Sequence, residues 1–434
     1  MSVVNVNFNQ VIGKIKPMHA VNNGPIKSGY EQHRSNFEEF KAAKIPFVRN
    51  HDASFCAAYG GEHTVDVHAI FPNFDADPYD PASYDFFYTD QYTRTILEAG
   101  SEVYYRLGTK IEHGGKKYGA VVPKDFNKWA VICEHIIRHY NEGWADGFHW
   151  NIRYWEIWNE PDGIAAGGDQ PNWTGTPEQF YEMYSITSRH LKKCFPDLLI
   201  GGPAMSWVNE TWLRGFLRRQ KQDGSPVDFF GWHWYGKEVA HIGLRAIEAR
   251  KILDEEGFPK TESYLNEWNY LENWTDQFIS SIETIISMRG AAFTAAVMCL
   301  GQRVPIDMLM YYDARPCGFN GIFDSFSDPL PGYYSFLWFA ELKDNGNEIR
   351  CDGAPENIYT LATKSASGKV MAALTYYTEN EELAEPKEIE VKFGGIRPFA
   401  VYILDGETGK VSVEMRRDLD FTIKPFTTIF IREL

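Results

Sequence analysis

One stretch of the sequence decides the fold: RYWEIWNEPD, from Arg153 to Asp162. Its apolar and aromatic residues are typical of a buried β-strand, and Pro161 ends the ladder because proline has no N–H to donate. This places Glu160 at the C-terminal rim of the strand, behind aromatic surface that solvates a charge poorly. We expect the pKa of Glu160 to be raised, as a general acid working near neutral pH requires.

Similar apolar runs alternate with amphipathic helical patterns from Lys16 to about residue 340. The candidate strands are Pro17–Asn22, Phe47–His51, Glu102–Gly108, Arg153–Asn159, Leu198–Gly202, Phe229–Tyr235, Ser263–Glu267 and Met308–Asp313. The candidate helices are Tyr30–Ala43, Tyr84–Glu98, Lys124–Tyr140, Pro177–Cys194, Glu210–Gln222, Glu238–Glu256, Asp276–Leu300 and Tyr333–Leu342. Eight strands, each followed by a helix, predict an α/β fold, a (β/α)8 TIM barrel over residues 13–342.

The pattern changes after Lys343, where short strands are separated by turn residues and helical periodicity ends. Such a pattern predicts an antiparallel β-sandwich domain over residues 343–434. The alternating segment 2–10 is a candidate strand for the same domain.

Composition limits the classes of function. Aromatic residues make up 15% of the chain, which fits clefts that stack sugar rings, with large aromatic cores as the alternative. The net charge of −16 argues against nucleic acid and anionic membranes as partners. The six cysteines form no C-x-x-C pair, so we predict no metal site and no cofactor. Residues 1–10 lack a signal-peptide pattern, so we expect a cytoplasmic protein, or a secreted one if a leader was removed.

A second carboxylate stands at a comparable position. Glu267 lies in SYLNEWN, Ser263–Asn269, at the end of the seventh strand, and Glu160 ends the fourth. Catalytic groups of such barrels come from the C-terminal ends of strands, and the fourth and seventh strands face each other across the mouth. Carboxyl groups about 5–5.5 Å apart would indicate a retaining glycosidase, and about 6.5–9.5 Å an inverting one.

Together, these motifs resemble glycoside hydrolase family 39, the family of β-xylosidases and α-L-iduronidases. The resemblance covers roughly residues 15–340 and extends to the closing β domain. The segments that carry it are FVRNH at 47–51, YDFFYTD at 84–90, WEIWNEPD at 155–162, GGPA at 201–204, DFFGWHWY at 228–235 and NEW at 266–268. The chain departs from the family at His51-Asp52, where His-Gly is usual, and over 308–323, so the sugar is less well defined than the chemistry.

The resemblance implies a role for each matching residue. Glu160 would be the acid/base and Glu267 the nucleophile, while Asn159 would bond the sugar's 2-hydroxyl. His233 and Tyr235 would line the cleft and hold Glu267 ionised. His51 would line the subsite of the non-reducing sugar.

Three further residues are candidates for substrate binding. Tyr312 and Asp313 end the eighth strand and face the same mouth, where they would bind sugar hydroxyls. Trp268 is a candidate for stacking on a sugar. Because side chains alternate along a strand, a position in the core is the alternative.

We therefore predict an exo-acting retaining glycosidase that cleaves plant-glycan oligosaccharides, with a β-xyloside as the first choice of substrate. Arabinose- or galactose-containing side chains and β-glucosides are alternatives within the same clan. A carbohydrate-binding barrel without catalysis, or a barrel with aldolase or isomerase chemistry, are alternatives of another class. The family often forms oligomers, so a homo-oligomer is a further expectation.

Overall fold

The computed structural model describes residues 1–27, 34–51, 65–109, 119–163, 172–395 and 397–434. Its first sheet has eight parallel strands: β2 (Ala20–Asn22), β3 (Phe47–Asn50), β4 (Glu102–Leu107), β5 (Tyr154–Ile157), β6 (Leu199–Gly201), β7 (Phe229–Tyr235), β8 (Glu262–Asn269) and β9 (Met308–Tyr311). Strands β6 and β7 meet through backbone bonds such as Met205 N–H to Gly231 O, 3.0 Å, which bring the sheet round into a barrel. The predicted barrel is confirmed.

Helices surround this sheet and cover its apolar outer face. They are α1 (Phe37–Ala42), α2 (Val67–Ile70), α3 (Phe87–Glu98), α4 (Phe126–Glu142), α5 (Pro177–Cys194), α6 (Glu210–Asp223), α7 (Val239–Glu255), α8 (Phe278–Ile285), α9 (Met288–Arg303) and α10 (Gly332–Asn345). Helix α5 begins with a capping box in which the side chains of Thr176 and Gln179 bond each other's backbone N–H groups.

The structure corrects one long helix of the prediction. The segment 276–300 was expected to be continuous, but α8 and α9 are separate and bent by 76° from one another. Ser287 explains the break, because its extended backbone ends the first helix and its hydroxyl caps the N–H of Arg289. Among the described residues no single helix is long and apolar enough to cross a membrane, and only this bent pair meets that test jointly.

The second sheet has nine strands. They are β1 (Ser2–Lys14), β10 (Asn347–Asp352), β11 (Ile358–Lys364), β12 (Val370–Tyr376), β13 (Lys387–Lys392), β14 (Phe399–Leu404), β15 (Val411–Arg416), β16 (Asp420–Ile423) and β17 (Thr428–Glu433). The pairings are antiparallel apart from the parallel pair β1–β13. Strands β10 and β16 were not predicted, because both are short and β10 is mostly polar in sequence.

The two sheets are joined by an apolar contact. Trp338 of α10 stacks on Phe430 of β17, with ring centroids 5.7 Å apart, and Phe293 of α9 meets Tyr377 at 5.4 Å. Both contacts are made by helices of the barrel, α9 and α10, that pack against the second sheet. The helices after β8 and β9 are therefore held from both sides, which fixes the strands that precede them.

Candidate active site

Glu160 lies in a strained turn at the C-terminal end of β5. The strand ends at Ile157, two residues earlier than predicted, and both Trp158 (φ 76°) and Glu160 (φ 46°) adopt left-handed backbone conformations. Such a conformation costs roughly 1–2 kcal/mol for a residue other than glycine. The turn is held by the N–H of Glu160, which donates to the Ala204 carbonyl at 2.8 Å. Strain maintained in this way is typical of a functional position.

A β-bulge in β8 sets the orientation of the Glu267 side chain. Trp232 of β7 pairs with Leu265, but the next residue, His233, pairs with Glu267, so Asn266 is an extra residue in β8. A bulge breaks the alternation of side chains. Asn266 and Glu267 consequently both reach polar partners inside the barrel, although they are neighbours in the chain.

Three donors surround the carboxylate of Glu267. Arg49 Nη1 donates to Oε1 at 2.7 Å, the Tyr235 hydroxyl donates to Oε2 at 2.9 Å, and His51 Nε2 lies 3.2 Å from Oε1. Burial, followed by the charge of Glu267, raises the pKa of Tyr235 well above its usual value, so the phenol stays a donor. Burial alone would lower the pKa of Arg49, but Glu156 and Glu267 outweigh it and raise that pKa. These partners favour an ionised, fixed Glu267.

Glu160 has different neighbours. Its Oε1 lies 2.7 Å from His233 Nδ1, and its Oε2 accepts from Asn172 Nδ2 at 3.2 Å. Burial lowers the pKa of His233 to about 4, so this imidazole is neutral at neutral pH. A neutral ring can donate to the Glu160 carboxylate or accept from its protonated form. His233 therefore suits a carboxyl group that changes protonation state.

His233 also brings the two glutamates together. One oxygen of Glu160, one of Glu267 and a nitrogen of His233 all lie within 4.8 Å of one another. Such a cluster has the donor atoms to hold a cation, but Arg49 already supplies a positive charge to Glu267 at 2.7 Å. A second cluster, Glu134, His190 and Cys194, lies between α4 and α5, where Arg138 likewise bonds Glu134 at 2.7 Å.

Arg49 connects Glu267 to a third carboxylate, Glu156. Its Nε donates to Glu156 Oε2 at 2.7 Å and its Nη2 donates to Asn159 Oδ1 at 2.8 Å. Glu156 Oε1 also accepts from the hydroxyl of Tyr104 at 2.9 Å and from Asn266 Nδ2 at 2.5 Å. From the sequence, Arg49 was as likely to pair with a carboxylate as to contact the ligand, and Glu156 was missed. The signal that could have revealed Glu156 is its position as a charged residue within an otherwise apolar and aromatic strand.

Glu156→Gln should therefore destabilise the fold and slow the reaction. It removes one of two carboxylates paired with a fully buried guanidinium, at a cost of about 3 kcal/mol of unfolding free energy. Because Arg49 orients Glu267, we expect kcat/KM to fall about 10- to 100-fold. Urea denaturation and steady-state kinetics measure both effects. The control is Tyr104→Phe, which keeps the charge and removes a single hydrogen bond to Glu156; equal losses in the two variants would contradict this role.

The structure places the other predicted residues of the site as follows. His51 and Asn159 are buried beside Glu267 and Arg49, in the contacts given above. Tyr312 is half-buried, and its ring meets those of His51 and Tyr235, each at a centroid distance of 6.3 Å. Asp52, part of the departure at His51-Asp52, lies outside the described residues.

Trp268 and Asp313 do not take the predicted positions. Trp268 is fully buried against Phe293 of α9 and Tyr311, because the residue after Glu267 points out toward the helices. The carboxylate oxygens of Asp313 are engaged within the following loop, by the N–H of Arg315 at 2.6 Å and its guanidinium at 3.0 Å. We assign Trp268 to the core and Asp313 to loop anchoring.

Asp162, two residues after Glu160, ties the loop after β5 to the loop after β6. Its carboxylate accepts from the N–H and hydroxyl of Ser206, at 2.9 and 3.0 Å. Burial, with a smaller contribution from the charge of Glu160, raises the pKa of Asp162 to about 7. The native state therefore holds a proton here that the unfolded chain releases above pH of about 4.

This proton makes stability depend on pH. As the pH rises from about 4 to 7, the wild type loses the stabilisation that the native-state proton provides, whereas Asp162→Asn has no carboxyl group to ionise. We expect the unfolding free energy of the variant, relative to wild type, to rise by roughly 2–3 kcal/mol between pH 5 and pH 8. Urea titrations at the two pH values measure the difference. The control is Asp197→Asn at an exposed position, for which the difference in unfolding free energy from wild type should be the same at both pH values. The same result for Asp162→Asn would refute this role for Asp162.

Comparison with known proteins identifies relatives for most of the barrel. The sequence model of glycosyl hydrolases family 39 matches residues 32–298, more than half of the chain. A β-xylosidase of Geobacillus stearothermophilus is 30% identical over 121 residues, 27% of this chain and 22% of that protein. A β-xylosidase of Caldicellulosiruptor saccharolyticus is 28% identical over 214 residues, 43% and 41% respectively. The matched segments thus span well under two thirds of both relatives.

Solved structures share the complete architecture. A glucosidase from Croceicoccus marinus aligns over 100% of this chain and 99% of its own, with a TM-score of 0.80 and 22% identity. A monomeric β-xylosidase from Caulobacter crescentus CB15 has the same coverage, with a TM-score of 0.74 and 14% identity. An α-L-arabinofuranosidase from Thermotoga maritima aligns over 100% of both chains, with a TM-score of 0.67 and 14% identity. At these identities the likeness concerns the fold.

Proposed function

The chain belongs to glycosyl hydrolases family 39, and from this membership we propose that it is a retaining, exo-acting glycoside hydrolase. Its proposed substrates are plant-glycan oligosaccharides that end in a β-linked xylose. The two β-xylosidases among its relatives support this sugar.

The observation that carries the proposal is the pairing of Glu160 with Glu267. Oxygens of the two side chains lie within 4.8 Å of each other. A retaining enzyme holds its carboxyl groups about 5–5.5 Å apart, whereas an inverting enzyme needs about 6.5–9.5 Å to admit a water molecule. The short separation favours direct attack by one carboxylate on the sugar.

The contacts support the two proposed roles. Glu267 is held by Arg49, Tyr235 and His51, which favour its ionised form, so it attacks the anomeric carbon. Glu160 is bonded to the neutral His233 and donates its proton to the departing oxygen. A covalent glycosyl-enzyme results.

Glu160 then works in the opposite direction. Once Glu267 is esterified its negative charge is gone, so the pKa of Glu160 falls and its carboxylate can take a proton from water. That water releases the sugar with its original configuration. Asn159, whose Oδ1 accepts from Arg49 at 2.8 Å, would bond the sugar's 2-hydroxyl in both steps.

A panel of 4-nitrophenyl glycosides tests the proposal. It should include β-D-xyloside, α-L-arabinofuranoside, β-D-galactoside and β-D-glucoside, with proton NMR of the first product to record its configuration. We expect the β-xyloside to be hydrolysed fastest, with β-xylose released first. A first-formed α-xylose would contradict the retaining mechanism, and hydrolysis of a different glycoside would reassign the sugar. Hydrolysis of none would contradict the proposed activity.

A further inference from the structure

A group of aromatic side chains leads from the site to the protein surface. We call Trp274, Phe278 and Phe319 the aromatic wall. Trp274 lies 6.1 Å from Phe278 and 5.9 Å from Phe319 between ring centroids, and Phe278 lies 5.8 Å from Phe319. Trp274 is 41% exposed and the two phenylalanines are half-buried. Their rings therefore present a partly open apolar surface.

The inner end of the aromatic wall reaches the nucleophile position. Tyr235, whose hydroxyl bonds Glu267, lies 5.1 Å from Trp274 and 6.0 Å from Phe319 between ring centroids. Tyr312 is 5.8 Å from Phe319. The wall thus begins one ring away from the pocket of Glu267 and continues outward. A sugar attacked by Glu267 would have its neighbouring ring over this surface.

The loops that carry the wall are held by hydrogen bonds. Asn269 Nδ2 donates to the carbonyls of Tyr312 and Phe319, at 2.7 and 2.8 Å, which fixes the loop after β9. Asn273 Oδ1 accepts from the N–H groups of Thr275 and Gln277, at 2.9 and 3.1 Å, which fixes the turn around Trp274. Rings held in this way lose little conformational entropy when a ligand binds.

Two charges next to the wall neutralise each other. Lys237, two residues after Tyr235, forms an ion pair with Glu272, two residues before Trp274, at 2.6 Å. Glu272 also accepts from the hydroxyl of Tyr270 at 2.6 Å. A surface of three rings beside such an ion pair suits an uncharged ligand. One face of a pyranose presents mainly C–H groups, which pack well on such rings.

We propose that Trp274, Phe278 and Phe319 form a second subsite, which binds the apolar face of the ring next to the sugar held at Glu267. The ligand is the neutral ring of the leaving group, covalently joined to the reacting sugar, because exo action leaves no further sugar on the glycone side. This inference rests on the proposed function, because the reacting sugar defines where its neighbour lies.

Three substrates that differ in their second ring test the subsite. β-D-Xylosyl fluoride has no second ring, 4-nitrophenyl β-D-xyloside has one on the leaving side, and β-xylobiosyl fluoride has one on the glycone side. For Trp274→Ala we expect kcat/KM to fall about 2- to 13-fold on a substrate whose ring uses the wall, the factor that 0.5–1.5 kcal/mol of stacking gives. Xylosyl fluoride should be unaffected. Trp274→Phe, which keeps a ring, should restore most of the loss.

The pattern of losses identifies the side on which the ring lies. A loss on the nitrophenyl xyloside alone assigns the wall to the leaving group, and a loss on xylobiosyl fluoride alone would overturn that assignment. An equal loss on all three substrates, or on none, overturns the subsite. The control is Tyr79→Ala, which removes another exposed ring, 64% exposed and in contact with His135 of α4, and should change none of the rates.

A binding experiment separates this inference from the proposed function. Tryptophan fluorescence of Glu267→Ala, which should not hydrolyse the ligand, should report tighter binding of xylobiose than of xylose, and adding Trp274→Ala should remove the difference. Failure of the wild type to hydrolyse any xyloside would contradict the function, whereas equal binding of xylose and xylobiose would contradict the subsite.

Discussion

Glu267→Ala should stop hydrolysis, with kcat reduced on the order of 10⁵-fold, because no other described group is placed to form the covalent intermediate. The small side chain leaves room for azide at the position of the carboxylate. Azide should restore turnover of an activated aryl glycoside and give a glycosyl azide of inverted configuration, since a single displacement replaces two. Product NMR distinguishes this azide from the retained one.

The matched control for this variant is Glu262→Ala, at the opposite end of the same strand β8. It removes a carboxylate outside the site and should leave kcat near that of the wild type. Wild-type turnover by Glu267→Ala, or a retained azide product from it, would exclude Glu267 as the nucleophile.

Glu160→Ala should have an effect that depends on the leaving group. A poor leaving group needs the proton of the general acid, so kcat/KM on a xylo-oligosaccharide should fall about 10²- to 10⁴-fold. A dinitrophenyl group departs without a proton, so kcat/KM on its xyloside should change little. In the second step the general base is missing, and azide should raise kcat and give a glycosyl azide of retained configuration.

The measurement is kcat/KM across aryl xylosides of graded leaving-group pKa. The variant should show a steep dependence where the wild type shows a shallow one. Equal losses for good and poor leaving groups would mean that Glu160 acts by positioning the substrate and transfers no proton. The opposite stereochemistry of the azide products in the two glutamate variants provides an internal check on both assignments.

Much of the barrel was predictable because its strands are short apolar runs with clear boundaries. Strand β7 and helix α5 were placed without error, and the strands that carry Glu160 and Glu267 were identified. Errors arose where local pattern competes with tertiary contacts. The segment 276–300 has continuous helical periodicity, yet the cap at Ser287 divides it. Short polar strands such as β10 form because neighbouring strands pair with them, which periodicity cannot show.

The site was predictable only in part, for a related reason. Sequence motifs indicated Glu160, Glu267, His233 and Tyr235, and the structure brings these four together. The bulge at Asn266 could not be foreseen, because it is seen only in the register of β8 with its neighbours β7 and β9. If the extra residue is left out, strict alternation along β8 assigns Trp268 to the wrong side of the strand.

Arg49 and Glu156 show a second limit of the sequence. They are 107 residues apart and become partners only when β3 and β5 enter one barrel. Such an ion pair forms only when the sheet closes into a barrel. A sequence motif can therefore single out each residue but cannot show that the two are partners.

Strand β1 affects how the chain folds during synthesis. Its partners β10 and β13 follow about 350 and 390 residues later, as in the pairs Asn5–Asp352 and Val3–Glu390. At a translation rate of roughly 5–20 residues per second, β1 waits roughly 20 to 70 s without its partners. During that interval Val4 and Val6, which end in the core of the second sheet, have no apolar surface of that sheet to cover them. An excised barrel should therefore omit β1 together with β10–β17, since β1 alone would be an unpaired strand open to aggregation.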